Sequence, residues 1–164
     1  MPLKSDENTK QGIAPVVDAC IKVLLLGSFP SAASLGKRQY YAYSKNQFWR
    51  LVGAVIEEPL SDMDYQQRLQ TLLKHHIGLW DVIDVCRRRG SLDSNIRDSI
   101  PNDFARVIRV TKKLQRVCFN GKTAGRFEPV FAEWGYKTLV LPSSSPAHAT
   151  LSFGEKLKAW RKIL

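Results

Sequence analysis

The side chains that could do chemistry fall in a few short polar stretches. GSFPS, from Gly27 to Ser31, follows an apolar run and joins a glycine, which permits close backbone approach or a positive φ, to Pro30, which stiffens a turn. Read alone, it is equally an ordinary strand-to-loop turn. KRQYYAYSKNQFW, from Lys37 to Trp49, interleaves aromatic rings with Lys37, Arg38 and Lys45, a mixture suited to stacking on a base while holding its phosphates. Phe48 and Trp49 equally suit a core position at the start of a helix. Asn46 falls at the N-cap of that helix, where its amide either accepts a backbone N–H or positions a water.

Three further stretches carry polar groups. CRRRGSLDSNIR (86–97) sets Arg87, Arg88, Arg89 and Arg97 around a turn containing Ser91, and is expected to contact phosphates. VCFNGKTAGR (117–126) places Asn120 at a strand end, above a helix start near Lys122, where a phosphate or a base edge would bind. It is not a P-loop, because that pattern needs a glycine at 116, where arginine stands. PSSSPAH builds a tight protruding loop from Ser143, Ser144, Ser145, Pro146 and Ala147, from which His148 could reach a phosphate or a leaving group. No G-x-S-x-G elbow accompanies these serines, which argues against a serine hydrolase. Asp81 and Asp84 end another apolar run, and Asp81 equally suits a cap or a salt bridge to the arginine loop.

The elements that must position these groups follow from periodicity. Apolar runs at 21–26, 77–85, 117–119 and 138–141 read as buried strands. Helical spacing covers 46–57, 61–75 after a Ser61 and Asp64 capping signal, a segment opened by Pro101, 123–134 with Pro129 as a break, and 155–164. Strands alternating with helices predict a three-layer α/β/α sandwich on a four-stranded parallel sheet. In such sheets ligands bind beyond the carboxyl ends of the strands, which gathers the polar stretches on one rim. A single domain over 13–164 is expected, preceded by a flexible leader over 1–12.

Composition narrows the partner. The 164 residues carry a net charge of +10 and a pI near 9.7, which favours a polyanion. Three cysteines without CxxC spacing encode neither a disulfide framework nor a metal site. No cofactor is implied. The polar N-terminus and the absence of a long apolar run predict no membrane partner and a cytoplasmic protein, nucleoid-associated if the source is bacterial or archaeal.

The ordered set GSFPS, YYA…NQFW, GLWDVIDVC…RGSLDSNI, FNGKTA and SSSPAH resembles the uracil-DNA glycosylase superfamily, and within it the family 6 hypoxanthine-DNA (deoxyinosine) glycosylases. The resemblance runs from about Val23 to about His148. It implies an α/β/α enzyme that flips a deaminated base out of DNA and hydrolyses its N-glycosidic bond without a metal or an obligate protein partner. Many superfamily members carry an Asp or Asn at one of the two positions after the first-motif glycine; here Ser28 and Phe29 stand there. In the hypoxanthine branch the asparagine of N-x-F-W takes that function, which maps onto Asn46. The resemblance further implies that Phe29 or Phe48 stacks on the base and that Asp81 or Asp84 reads it. Backbone amides near Gly27, Ser28 and Phe29, with Asn120 and His148, would stabilise the leaving base, and the Ser145-Pro146-Ala147 tip would enter the duplex. Three other readings stand beside this one: a silent nucleic-acid-binding α/β domain, a uracil or thymine-mismatch glycosylase, and a bifunctional enzyme with Lys45 as an amine nucleophile.

Overall fold

The computed structural model describes residues 8–164. Its centre is a parallel sheet of β2 (Val23–Gly27), β3 (Ile77–Asp81), β6 (Arg116–Asn120) and β7 (Lys137–Leu141), in the spatial order β3-β2-β6-β7. Leu25 pairs with Leu79 on one side and Cys118 on the other, so the strands end in register on one rim. Strand alternation divides the core. Val23, Leu25 and Cys118 face one layer with Phe48, Trp49, Leu72 and Trp160, while Leu24, Leu26, Val117 and Phe119 face the other with Phe104, Val107 and Phe131.

The first layer is built by α2 (Phe48–Ile56), α3 (Tyr65–Lys74) and α7 (Phe153–Trp160), and the second by α4 (Phe104–Val110) and α6 (Glu128–Glu133). A six-residue α1 (Ala32–Lys37) and the single turn α5 (Lys122–Gly125) lie next to the rim. This is the three-layer sandwich expected from periodicity.

Four local expectations change. The apolar run 77–85 is two strands: the Val82 N–H bonds the Gly27 carbonyl, and the chain re-emerges as β4 (Ile83–Arg87) in a separate antiparallel sheet, between β1 (Thr9–Gln11) and β5 (Arg97–Pro101). In that sheet β1 (Thr9–Gln11) pairs with β4, so part of the span read as a leader is strand; residues 1–7 lie outside the described residues. Pro101 ends β5 (Arg97–Pro101) instead of opening a helix, since its missing N–H is harmless on an edge strand and α4 starts after Asp103. The cap of α3 is Asp64, which forms a capping box with Gln67; Ser61 belongs to the preceding 3₁₀ turn. Pro129 behaves as expected, separating α5 from α6 and sitting in the latter's first turn.

Candidate active site

At the carboxyl rim a cavity of about 650 Å³ opens among Gly27–Ser34, Tyr41, Asn46, Asp81, Ser91–Asp93, Asn120 and Ser143–His148. That volume lies within the usual range for small-ligand sites. Three of the four parallel strands deliver a residue to it directly, Gly27 from β2, Asp81 from β3 and Asn120 from β6, and the serine loop follows β7.

One wall is a chain of hydrogen bonds. Asn120 Nδ2 donates to Ser144 Oγ at 2.8 Å and to the Tyr41 hydroxyl oxygen at 3.2 Å, while its Oδ1 accepts the Ser144 N–H at 2.9 Å. Ser144 Oγ donates to Asn46 Oδ1 at 2.8 Å, and that oxygen also accepts the Phe48 N–H at 2.9 Å. Asn46 therefore does satisfy an orphan helix amide, from one position ahead of the assigned cap Gln47, which makes no side-chain cap bond of its own. The cap uses only Oδ1 and leaves Nδ2, on the other arm of the amide, out of the bond. Lys156 of α7 secures the same wall from behind: its buried ammonium donates to Gln47 Oε1 at 3.1 Å and to the Ser145 carbonyl at 3.5 Å, and burial lowers its pKa. Nothing in the sequence distinguishes this lysine from its solvent-facing neighbours.

The aromatic wall is Tyr41. Its ring stacks on Phe48 at 3.8 Å between centroids and 11° between planes, and its backbone is in the left-handed region at φ 52°. For a bulky residue that conformation costs of order 1–3 kcal/mol and marks a site whose surroundings enforce it. Phe48, expected as a candidate stacking ring, is fully buried behind Tyr41 and does not line the cavity. Phe29 does line it, with the Arg88 guanidinium 5.1 Å above its ring.

Gly27 is required for close approach, not for a special φ. A Cβ there would fall 2.6 Å from Asp81 Oδ1 and 2.8 Å from the Tyr41 hydroxyl. Asp81 is 4% exposed, its Oδ2 has no partner among the described residues, and its carboxyl is pushed up to about 7. Burial is the largest cause, followed by the Asp93 charge, with Arg88 opposing. Burial, aided by Asp81, also raises the Tyr41 hydroxyl, which stays neutral.

The remaining sequence candidates divide. Ser28, Ser31, Ser91, Ser143, Ser145, Pro146, Ala147 and His148 line the cavity. Ser31 caps α1 through the Ser34 N–H, Ser91 Oγ accepts the Ala32 N–H at 2.9 Å, and Ser143 and Ser145 brace their own loop. Asp84 is outside, carried into the small sheet by the turn at Val82, where its carbonyl accepts the Gly12 N–H. Arg88, expected to contact DNA, is 3% exposed: its guanidinium covers Phe29 and donates to the Pro30 and Gly90 carbonyls, which removes it from any phosphate. Arg87 and Arg89 line a separate open groove with Asn8, Asn95 and Arg97. Lys45 and Lys122 are exposed and outside the cavity. Tyr41 and Asp93 line it although neither was expected there.

Among the described residues no group of three or more His, Cys, Asp or Glu could hold a metal, and no helix is long and apolar enough to cross a membrane. Cys20 is exposed; Cys86 and Cys118 are buried and free.

A parallel α/β/α sandwich with a ligand-sized, amide-rich cavity on its carboxyl rim defines a class, and the class has a name. The chain belongs to the uracil DNA glycosylase superfamily, whose model matches residues 14–164. It is 48% identical over 143 residues to a Methanosarcina acetivorans protein called hypoxanthine DNA glycosylase, covering 87% of this chain and 90% of that one. A protein of the same name from Methanosarcina barkeri is 43% identical over 139 residues, covering 85% and 88%. A solution NMR structure from M. acetivorans, assigned provisionally as a uracil DNA glycosylase, superposes with a TM-score of 0.84 at 44% identity, over 94% of this chain and 98% of that one.

Proposed function

We propose that this protein removes hypoxanthine from DNA by hydrolysing the N-glycosidic bond of deoxyinosine, leaving an abasic site. The observation that carries the reading is the cavity itself, in which Asn46 and Asn120 share Ser144 as a hydrogen-bond partner opposite the buried acid Asp81. The names of the two Methanosarcina relatives support the choice of base.

In this reading a flipped hypoxanthine slides over Tyr41, whose far face is backed by Phe48. Asp81 meets the base's N1–H and C6 carbonyl. The Asn46 Nδ2–H donates to a water oxygen and aims its second lone pair at C1′, while amides around Ser28 and Phe29 receive the negative charge that develops on the departing base, and Asn120, whose Nδ2 protons go to Ser144 and Tyr41, holds that wall in place. The exposed Pro146-Ala147 tip fills the gap in the duplex, and the exposed cations Lys45, Lys122, Arg87 and Arg89 hold phosphates.

The test is incubation with duplexes carrying one deoxyinosine, deoxyuridine or mismatched thymidine, followed by alkali cleavage at abasic sites. Scission at deoxyinosine with no adduct after borohydride supports a monofunctional hypoxanthine enzyme. DNA binding without scission at any of the three would instead identify a silent binding domain.

Tyr41→Ala separates Tyr41 from Phe29, the other candidate ring that lines the cavity. Base–aromatic stacking is worth roughly 1–3 kcal/mol, so about a tenfold or greater loss in single-turnover excision is expected. Tyr41→Phe keeps the stacking surface and loses only the weak bond from Asn120, so it should stay within a few-fold of wild type. Equal losses in the two variants would mean that the hydroxyl, not the ring, is what matters.

A further inference from the structure

A water that attacks C1′ must surrender a proton, so an acceptor has to stand beside it. Asn46 cannot be that acceptor. Its Oδ1 takes both the Phe48 N–H and the Ser144 hydroxyl, which fills the two lone pairs of an amide oxygen and leaves only N–H donors toward the cavity. The first motif offers no carboxylate, because Ser28 and Phe29 follow Gly27.

The arginine-rich loop brings one. Asp93 opens the 3₁₀ turn Asp93–Asn95 and lines the same cavity as Asn46. Its Oδ1 accepts the Ser28 hydroxyl at 2.7 Å, a contact across 65 positions of sequence, and the neighbouring bond from the Ala32 N–H to Ser91 Oγ docks the loop on the first motif. The Asp93 carboxylate accepts no other hydrogen bond among the described residues, its backbone carbonyl taking the Ile96 N–H, and no ion pair there engages it. Its charge reaches the interior of the site, since it acts on Asp81 and on the Tyr41 hydroxyl.

We propose that Asp93 is the catalytic carboxylate of this enzyme: the group missing from the first motif in sequence is supplied in space by the loop after β4 and pinned there by Ser28. The proposal rests on the glycosylase reading above. In the step, the C1′–N9 bond breaks with its electron pair leaving on the base, and the carboxylate opposes the positive charge that develops on the sugar. The water oxygen bonds to C1′ and its proton passes to Asp93. The base anion takes up a proton from solvent, and Asp93 returns its own to solvent, so one water is consumed and no other reactant is needed.

The test uses the full chain and a deoxyinosine duplex under single-turnover conditions. Asp93→Ala should be slower by about 50-fold or more, with affinity for a duplex holding an uncleavable abasic analogue within about twofold of wild type. Sodium formate should restore part of the lost rate, because a small carboxylate fits the space that the side chain vacates. Asp93→Asn keeps an acceptor for Ser28 and fills that space, so it should fold as wild type, be slow, and ignore formate. If Asp93→Ala excises within threefold of wild type, or loses rate and affinity together without a response to formate, Asp93 is only a clasp for the loop. An active wild type with indifferent Asp93 variants overturns this inference alone; a wild type that releases no base overturns the glycosylase reading, and with it this one.

Discussion

Asn46→Ala is expected to lower single-turnover excision of hypoxanthine by about 10³-fold, in line with the roughly 3–4 kcal/mol lost when one preorganised polar group is removed from a transition-state site. Two losses combine in that number. The first is the Nδ2–H that fixes the water. The second is the junction at Oδ1, where the Phe48 N–H and the Ser144 hydroxyl lose their common acceptor, and through Ser144 the serine loop loses its tie to α2. Leaving a buried donor unpaired costs about 1–3 kcal/mol, so the alanine variant should also unfold at lower denaturant. Asn46→Asp separates the two: a carboxylate oxygen still accepts both bonds, and urea unfolding should return toward the wild-type midpoint. An alanine variant with wild-type excision would remove Asn46 from the site and shift attention to His148, which shares the cavity.

Groups presented at strand ends were readable in advance. Gly27 and Asn120 stand where apolar runs stop, and a parallel sheet brings such stops to one rim whatever the loops do. Ser144 was legible for the same reason, as part of the polar loop after the last strand, whereas Asn46 read locally as a helix cap and came to the site only through the family resemblance. Residues whose placement depends on a backbone break were not. Asp84 is three positions from Asp81 in an unbroken apolar pattern, and only the turn at Val82 sends it to another sheet. Tyr41 faces the cavity because its own backbone is left-handed and Phe48 occupies its far side, two facts that no propensity encodes. Arg88 and Asp93 were obscured by their company. In a loop of arginines, charge suggests a solvated, phosphate-facing surface, yet the fold spends one guanidinium on Phe29 and two carbonyls and ties the loop's exposed carboxylate to Ser28 at the cavity edge.

Asp81 gives the site a pH dependence whose sign can be stated. A carboxyl raised to about 7 is neutral below that pH and ionised above it. Hypoxanthine presents N1–H beside its C6 carbonyl, so the neutral acid answers both, accepting through its carbonyl oxygen and donating through its O–H, whereas the carboxylate can only accept and repels the carbonyl. Burial sets most of this balance, with the charges of Asp93 from the 3₁₀ turn raising the carboxyl and of Arg88 beyond β4 lowering it, while the Tyr40 and Tyr41 hydroxyls after α1 stay neutral beside it. Excision by wild type should therefore fall as pH rises through about 7. Asp81→Asn offers the same donor and acceptor at every pH and should abolish that fall while keeping activity near the low-pH level. Asp81→Ala leaves the base edge unpaired in a dry pocket and should cost about 10²-fold at pH 6. The pH series must be run on Asp81 variants with Asp93 intact. Neutralising Asp93 removes one of the two causes that hold the Asp81 carboxyl up, which moves the decline to lower pH at the same time as it removes the proton acceptor. A wild-type rate that is flat from pH 6 to 8.5, or a decline that persists in Asp81→Asn, would mean that Asp81 is not the group that reads the base.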